Sequence, residues 1–159
     1  MLIGILSDTH DDMSAIKKAV DTFNAKRVSL VIHAGDLVSP FTFELFSELH
    51  CNFTAIFGNN DGDKILLKQK SGGNIYHQPL VMTFNGKKIV VIHEPDLVDA
   101  LSDSGHFDLV IYGHTHSPDI RRIKDALIIN PGKVAKLHKG ESTLALLNTE
   151  KMEAEVIFL

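Results

Sequence analysis

The sequence predicts an α/β fold in which two sheets pack face to face and helices cover their outer faces. Two observations predict it. Short apolar runs of strand length alternate with helix-period segments through the first half of the chain, and strand pairs joined by turns fill the second half. The length of 159 residues suits one domain spanning 1–159, and 44% hydrophobic with 23% charged residues suits a packed core. A single doubly wound sheet is the alternative arrangement.

Leu2–Leu6 reads as a buried strand. Met13, Ile16, Ala19, Val20 and Phe23 recur at helical spacing, so Met13–Phe23 reads as a helix. Val28–His33 is a second apolar strand. Pro40–Leu49 reads as a short helix, with Pro40 suited to its first turn and Ser39 to its N-cap. Asn52–Phe57 is a third strand, and Asp63–Lys70 a short helix closed by Gly72 and Gly73. The pattern then changes. Leu80–Phe84 and Lys88–His93 flank Asn85-Gly86, a strong hairpin signal. Asp96–Ser104 is a helix ended by Gly105, and Leu109–Tyr112 another buried strand. Ile120–Ile123 with Leu127–Asn130, then Thr143–Leu147 and Glu153–Phe158, close the chain as strands.

Composition excludes several classes of function. Acidic residues number 20 against 16 basic ones, a formal charge of −4, which gives no support for duplex nucleic-acid binding. No apolar run approaches the ~20 residues that span a bilayer. With Cys51 the only cysteine, no internal disulfide can form, and a reducing cytoplasm is the expected location. The first strand lacks a basic segment before it and meets Asp8 and His10 at once, so it is not read as a signal peptide. Nine histidines without a tryptophan direct attention to histidine clusters.

The polar residues fall where apolar strands end. Asp8 and His10 follow the first strand in Ser-Asp-Thr-His, and Gly35 and Asp36 follow the second in His-Ala-Gly-Asp. Gly58, Asn59, Asn60 and Asp61 follow the third. His93 ends the strand that begins at Lys88, and Gly113, His114 and His116 follow Leu109–Tyr112 in Gly-His-Thr-His. In α/β folds ligands sit at the carboxyl ends of strands, so this distribution marks a site. Glycines there let the backbone turn sharply and approach a ligand. Two carboxylates, four imidazoles and an amide oxygen form a mixed N/O donor set suited to Mn, Fe or Zn. Two such cations ~3.5–4 Å apart clamp a phosphoryl group and activate water for in-line attack.

The series Asp-x-His, Gly-Asp, Gly-Asn-x-Asp, His and Gly-His-x-His, from Asp8 to His116, resembles the calcineurin-like metallophosphoesterase superfamily. The short length, the Gly-Asn-x-Asp form and Asn130-Pro131-Gly132 resemble its small bacterial and archaeal phosphodiesterase branch, whose fold the retromer subunit Vps29 shares. The resemblance implies a four-layer α/β/β/α sandwich of two mixed sheets. It implies one divalent cation on Asp8, His10, Asp36 and His116, and a second on Asp36, Asn59, His93 and His114, with Asp36 as the bridge. Mn²⁺ is the expected metal, with Fe, Ni or Zn as alternatives. A hydroxide between the two cations would attack phosphorus in a phosphodiester. A homodimer is compatible with the resemblance.

Two positions depart from the family pattern. Many members carry a histidine where this chain has Asn60, and that histidine protonates the leaving oxygen. An amide donates a hydrogen bond but supplies no proton at neutral pH. Asn60 and Asp61 therefore stand as candidate residues on the substrate side, with Asp61 expected to shape the loop. The second departure is Glu94 after His93, where glycine is usual. Glu94 is expected to point to solvent; facing the site it would repel dianionic monoesters and favour diesters. Other residues carry blander expectations. His33 reads as a packed core histidine or a donor behind the ligands. His50, His77, His106 and His138 read as solvated, Cys51 as a small core residue and Lys133 as a surface lysine.

The expected function is metal-dependent hydrolysis of a small phosphate ester, with no membrane partner. One alternative is a non-catalytic, Vps29-like protein-binding scaffold, against which the filled ligand positions argue. Another is a nuclease or nucleotide pyrophosphatase, for which the chain lacks a basic groove or aromatic stacking run.

Overall fold

Central strands buried on both faces build two sheets with one shared interior. The structure is a computed structural model and describes residues 1–136 and 140–159. In chain order its elements are β1 (Leu2–Leu6), α1 (Met13–Lys26), β2 (Leu30–His33), α2 (Phe43–Phe46), β3 (Asn52–Ile56), α3 (Lys64–Lys70), β4 (Ile75–Tyr76) and β5 (Leu80–Phe84). Then come β6 (Lys87–Val91), α4 (Val98–Asp103), β7 (Leu109–Ile111), β8 (Asp119–Ile123), β9 (Ala126–Asn130), β10 (Thr143–Asn148) and β11 (Glu153–Phe158). The larger sheet has the order β11-β10-β1-β2-β3-β4, and the smaller β5-β6-β7-β9-β8. Within the larger sheet β1 to β4 run parallel while β10 and β11 are antiparallel. The smaller sheet has a parallel centre, β6-β7-β9, and antiparallel edges. Both sheets are mixed.

Successive strand side chains point to opposite faces, and that period separates the layers. Ile3 and Ile5 of β1 face the smaller sheet and pack with Ile32, Ile89, Val91, Leu109 and Ile111. Leu6 faces outward, against Ile16, Ala19, Val20 and Phe23 of α1, with Phe43 and Phe46 of α2 and Leu67 of α3 in the same cluster. On the far side Val90, Val110 and Ile128 meet Val98 of α4. Helices thus cover both outer faces and the sheets meet between them, the α/β/β/α order. The single-sheet alternative is overturned, because β5 to β9 pair with one another and not with β1 to β4. The Asn85-Gly86 hairpin forms as expected, with positive φ at both residues (47° and 75°) and Phe84 paired to Lys87.

Local differences have local causes. The helix begun at Met13 runs on to Lys26 and stops where Arg27 turns left-handed, so β2 starts at Leu30 rather than Val28. Pro40–Leu49 is not one helix: a 3₁₀ turn over Pro40–Thr42 leads into the four residues of α2. Ser39 does not cap it, because its hydroxyl donates to the Asp11 carboxylate at 2.6 Å. Asp63 is the N-cap of α3 rather than its first residue, accepting from Leu66 N–H at 2.9 Å. Pro95–Leu97 likewise forms a 3₁₀ turn before α4. The two-residue β4 was not expected; so short a strand shows no periodicity, and pairing with β3 creates it. Lys133 is buried at 3% exposure, not a surface lysine, because the chain after Asn130-Pro131-Gly132 runs beside Ser7 and Asp8. There Val134 N–H donates to Ser7 O and Ala135 N–H to Asp8 O, both at 3.1 Å. Cys51 is half-buried at the edge of the α1–α2 cluster. His50, His77 and His106 are exposed, and His138 lies outside the described residues. Among the described residues no helix is long and apolar enough to cross a membrane.

Candidate metal centre

The loops that leave β1 and β2 are laced together by backbone bonds. Asp8 N–H donates to Gly35 O (3.0 Å), Thr9 N–H to Asp36 O (3.0 Å) and Asp11 N–H to Leu37 O (3.3 Å). This lacing brings two carboxylates, Asp8 and Asp36, to one buried edge, with 0% and 1% exposure. Backbone conformation there is unusual: Asp8, His10, Asp36, His114 and His116 have φ of 54°, 37°, 64°, 67° and 59°. Non-glycine residues adopt this left-handed region at a cost, and such residues cluster at functional sites. Space is equally tight. A Cβ on Gly58 would lie 2.2 Å from Asp36 Oδ1, so only glycine lets the loop after β3 close over that carboxylate.

The side chains gather in two halves. His116 Nε2 lies 3.2 Å and His10 Nε2 3.6 Å from Asp8 Oδ1, and the two rings meet edge to face at 5.4 Å. On the other side His93 Nε2 lies 3.4 Å from Asp36 Oδ2, while Asn59 Oδ1 touches His93 Nε2 (2.9 Å) and His114 Nδ1 (3.0 Å). His10 reaches across to Asp36 Oδ2 at 3.7 Å, so Asp36 stands between the halves. Asp8, His10 and His116, and separately Asp8, Asp36 and His93, each offer ligand atoms within 4.8 Å of one another. The structure therefore brings together all of Asp8, His10, Asp36, Asn59, His93, His114 and His116.

Protonation follows from the packing. Burial works against the Asp8 and Asp36 carboxylates, yet the imidazoles around them hold both below the usual carboxylate range. Burial would depress His93, but Asp36 and the Ala34 carbonyl hold it up at about 9. Asp8 raises His10 against its own desolvation. Among the described residues four buried side-chain atoms have no hydrogen-bond partner, and two of them, Asp8 Oδ1 and His10 Nε2, lie 3.6 Å apart inside the site. Buried polar atoms are nearly always paired. An acceptor oxygen and an imidazole nitrogen left open together, among donors of mixed N/O type, fit a divalent cation.

The supporting shell was only partly foreseen. His93 Nδ1 donates to Ala34 O at 2.7 Å, which leaves Nε2 facing the site, where it can become an electron-pair donor once it gives up its proton. His33 is fully buried against Phe46 and Phe53. Its Nδ1 accepts from Gly35 N–H (3.2 Å), so Nε2 carries the proton toward Thr9 Oγ1 (3.0 Å). It is thus a core histidine that also ties the two ligand loops. Asp61 is no substrate-side residue. It is buried and accepts from Gly58 N–H (2.6 Å), Val38 N–H (2.7 Å) and Asp36 N–H (3.2 Å), holding the loop shape. Asn60 is exposed and donates from its backbone and Nδ2 to Asp36 Oδ1 (2.8 Å) and Oδ2 (2.7 Å). Glu94 is half-buried, and its carboxylate accepts from Gln78 Nε2 beside a groove lined by Pro79, Leu97 and Leu101. Sequence reasoning missed Asn130 as a support. Its Nδ2 donates to Gly113 O (2.9 Å) and Thr115 Oγ1 (3.0 Å), bracing the His114–His116 loop; Asn-Pro-Gly was the available signal.

Comparison with known proteins agrees with this arrangement. Residues 1–152 match the calcineurin-like phosphoesterase superfamily domain. A phosphodiesterase of Methanocaldococcus jannaschii is 38% identical to this chain, covering 100% of it and 99% of the relative. A probable metallophosphoesterase of Methanothermobacter thermautotrophicus is 32% identical, covering 99% of this chain and 92% of its own. The solved structure of an archaeal phosphodiesterase superposes with a TM-score of 0.93 at 37% identity over the whole of both chains. Vps29 of Entamoeba histolytica, solved with Zn²⁺, shares the fold at a TM-score of 0.74 and 17% identity over 99% of each chain. On the motif series, the matched domain and these relatives, the chain belongs to the calcineurin-like phosphoesterase superfamily.

Proposed function

We propose that this chain is a phosphodiesterase that holds two divalent cations, one on Asp8, His10, Asp36 and His116 and one on Asp36, Asn59, His93 and His114. The observation that carries this reading is the unpartnered pair Asp8 Oδ1 and His10 Nε2, buried among the other donors. Divalent cations, when bound, supply Lewis-acid polarisation of the phosphoryl group and make water a competent nucleophile near neutral pH. The mixed N/O donors make Mn²⁺ the first choice for assay, with Fe, Ni or Zn as alternatives.

The chain's own groups set the rest. His93 presents Nε2 because Ala34 O holds the proton on Nδ1. Asp36 is oriented by two donors from Asn60. At the rim the Asn60 amide can orient a phosphoryl oxygen but cannot protonate a leaving group. That favours diesters whose leaving groups depart as weak bases, such as aryl esters. The archaeal relative described as a phosphodiesterase supports the same substrate class.

The test is hydrolysis of bis-p-nitrophenyl phosphate with Mn²⁺, in wild type, Asp36→Asn and His114→Ala. The expected result is metal-dependent turnover that falls by two or more orders of magnitude in each variant. Two bound cations without turnover of any diester would overturn the reading and favour a Vps29-like scaffold.

A further inference from the structure

Beyond its ligand ring, His93 depends on a residue that no motif marks. β5 and β6 pair from Phe84–Lys87 to Leu80–Val91, and the paired register ends there, before Pro79. Ile92 N–H turns the other way, to Ile111 O at 3.0 Å. His93 N–H therefore points toward the β5 side, in a buried residue, with no backbone acceptor opposite. Gln78 supplies one: its Oε1 accepts from His93 N–H at 2.6 Å. Its other atom, Nε2, donates to Glu94 Oε2. The His93 peptide is also held at its carbonyl, which accepts from Gly113 N–H at 3.1 Å, and at its ring by Ala34 O.

One side chain thus does two things to the ligand loop. It fixes the His93 backbone where the sheet can no longer do so, and it holds the neighbouring Glu94 carboxylate by a hydrogen bond. We propose that Gln78 is a positioning residue for His93, setting the affinity of the cation held on the Asp36, Asn59, His93 and His114 side. The proposal rests on the metal-centre reading above. Partners that orient metal ligands typically change affinity by roughly 10–100-fold when removed.

The experiment is calorimetric titration of the metal-free protein with Mn²⁺, alongside its thermal unfolding. Gln78→Met keeps the length and removes both hydrogen bonds. It should weaken one of the two binding events by roughly 10–100-fold and leave the other near wild type. The double variant Gln78→Glu with Glu94→Gln restores an acceptor for His93 N–H and a donor for its neighbour, with the roles exchanged. It should recover most of the lost affinity, a rescue that a merely space-filling role would not produce. Wild-type affinity at both sites in Gln78→Met overturns the proposal, as does a double variant that melts like wild type yet stays weak. Should Gln78→Met fail to fold, the double variant set against Gln78→Glu alone decides the same question. No cation binding by the wild type would overturn the metal-centre reading itself, and this proposal with it.

Discussion

Acidification should weaken the fold through His33, and the size of the effect follows from its surroundings. The side chain is 0% exposed, and burial pushes its pKa down to about 3, against 6.5 for a free imidazole. The folded protein therefore holds His33 neutral while the unfolded chain takes up a proton below pH 6.5. Stability tied to this group is full above 6.5 and is lost as pH falls from there toward 3. At pH 5, 1.5 units below the unfolded value, the loss is about 2 kcal/mol. His10 and His93 act oppositely, since their raised values favour folding as pH falls toward 6.5. A comparison with His33→Asn removes them from the difference. Asparagine does not titrate, and its Oδ1 can accept from Gly35 N–H as Nδ1 does. Urea unfolding of both proteins at pH 7 and pH 5, in chelator, gives the four free energies. The wild type should lose about 2 kcal/mol more than the variant over that interval. Equal losses would refute the account of His33 as a neutral, buried tie between the two loops.

Two further outcomes follow from the geometry of the centre. Gly58→Ala places a methyl 2.2 Å from Asp36 Oδ1 and 2.6 Å from Asp36 N, both fixed atoms. Crowding of this kind costs roughly 1–3 kcal/mol, and the displaced carboxylate should weaken cation binding, both read from a thermal melt and a Mn²⁺ titration. Cation affinity should also rise with pH. His93, at about 9, is protonated at neutral pH in the metal-free protein, so binding displaces its proton and affinity gains up to tenfold per pH unit between 6 and 8. A titration flat across that range would show that His93 takes no part.

Much of this was legible from residue order alone. A strand followed by Asp-x-His, a strand followed by Gly-Asp and a strand followed by Gly-His-x-His are local patterns, and parallel strands carry such endings to one edge. The Asn85-Gly86 turn and the continuous apolar run of β1 were equally local. What went unseen depends on contacts distant in sequence. Ser39 looked like a helix cap until Asp11 proved to be its partner. Glu94 looked free until Gln78 met it across 16 residues. Lys133 looked like a surface residue until the chain folded beside Asp8.

By itself, the sequence determined the α/β class and the donor residues that gather at the centre, and strand pairing then decided for two sheets over one. Hydrophobic period and strand-end chemistry are written along the chain within a few residues of one another. Only the tertiary structure decided how those donors are held: which nitrogen His93 presents, why Asp61 turns its carboxylate to three backbone N–H groups, and that Gln78 stands where the sheet runs out. Each of these answers is a partner for a buried polar group. Partners are chosen by proximity after packing, and no local pattern encodes them.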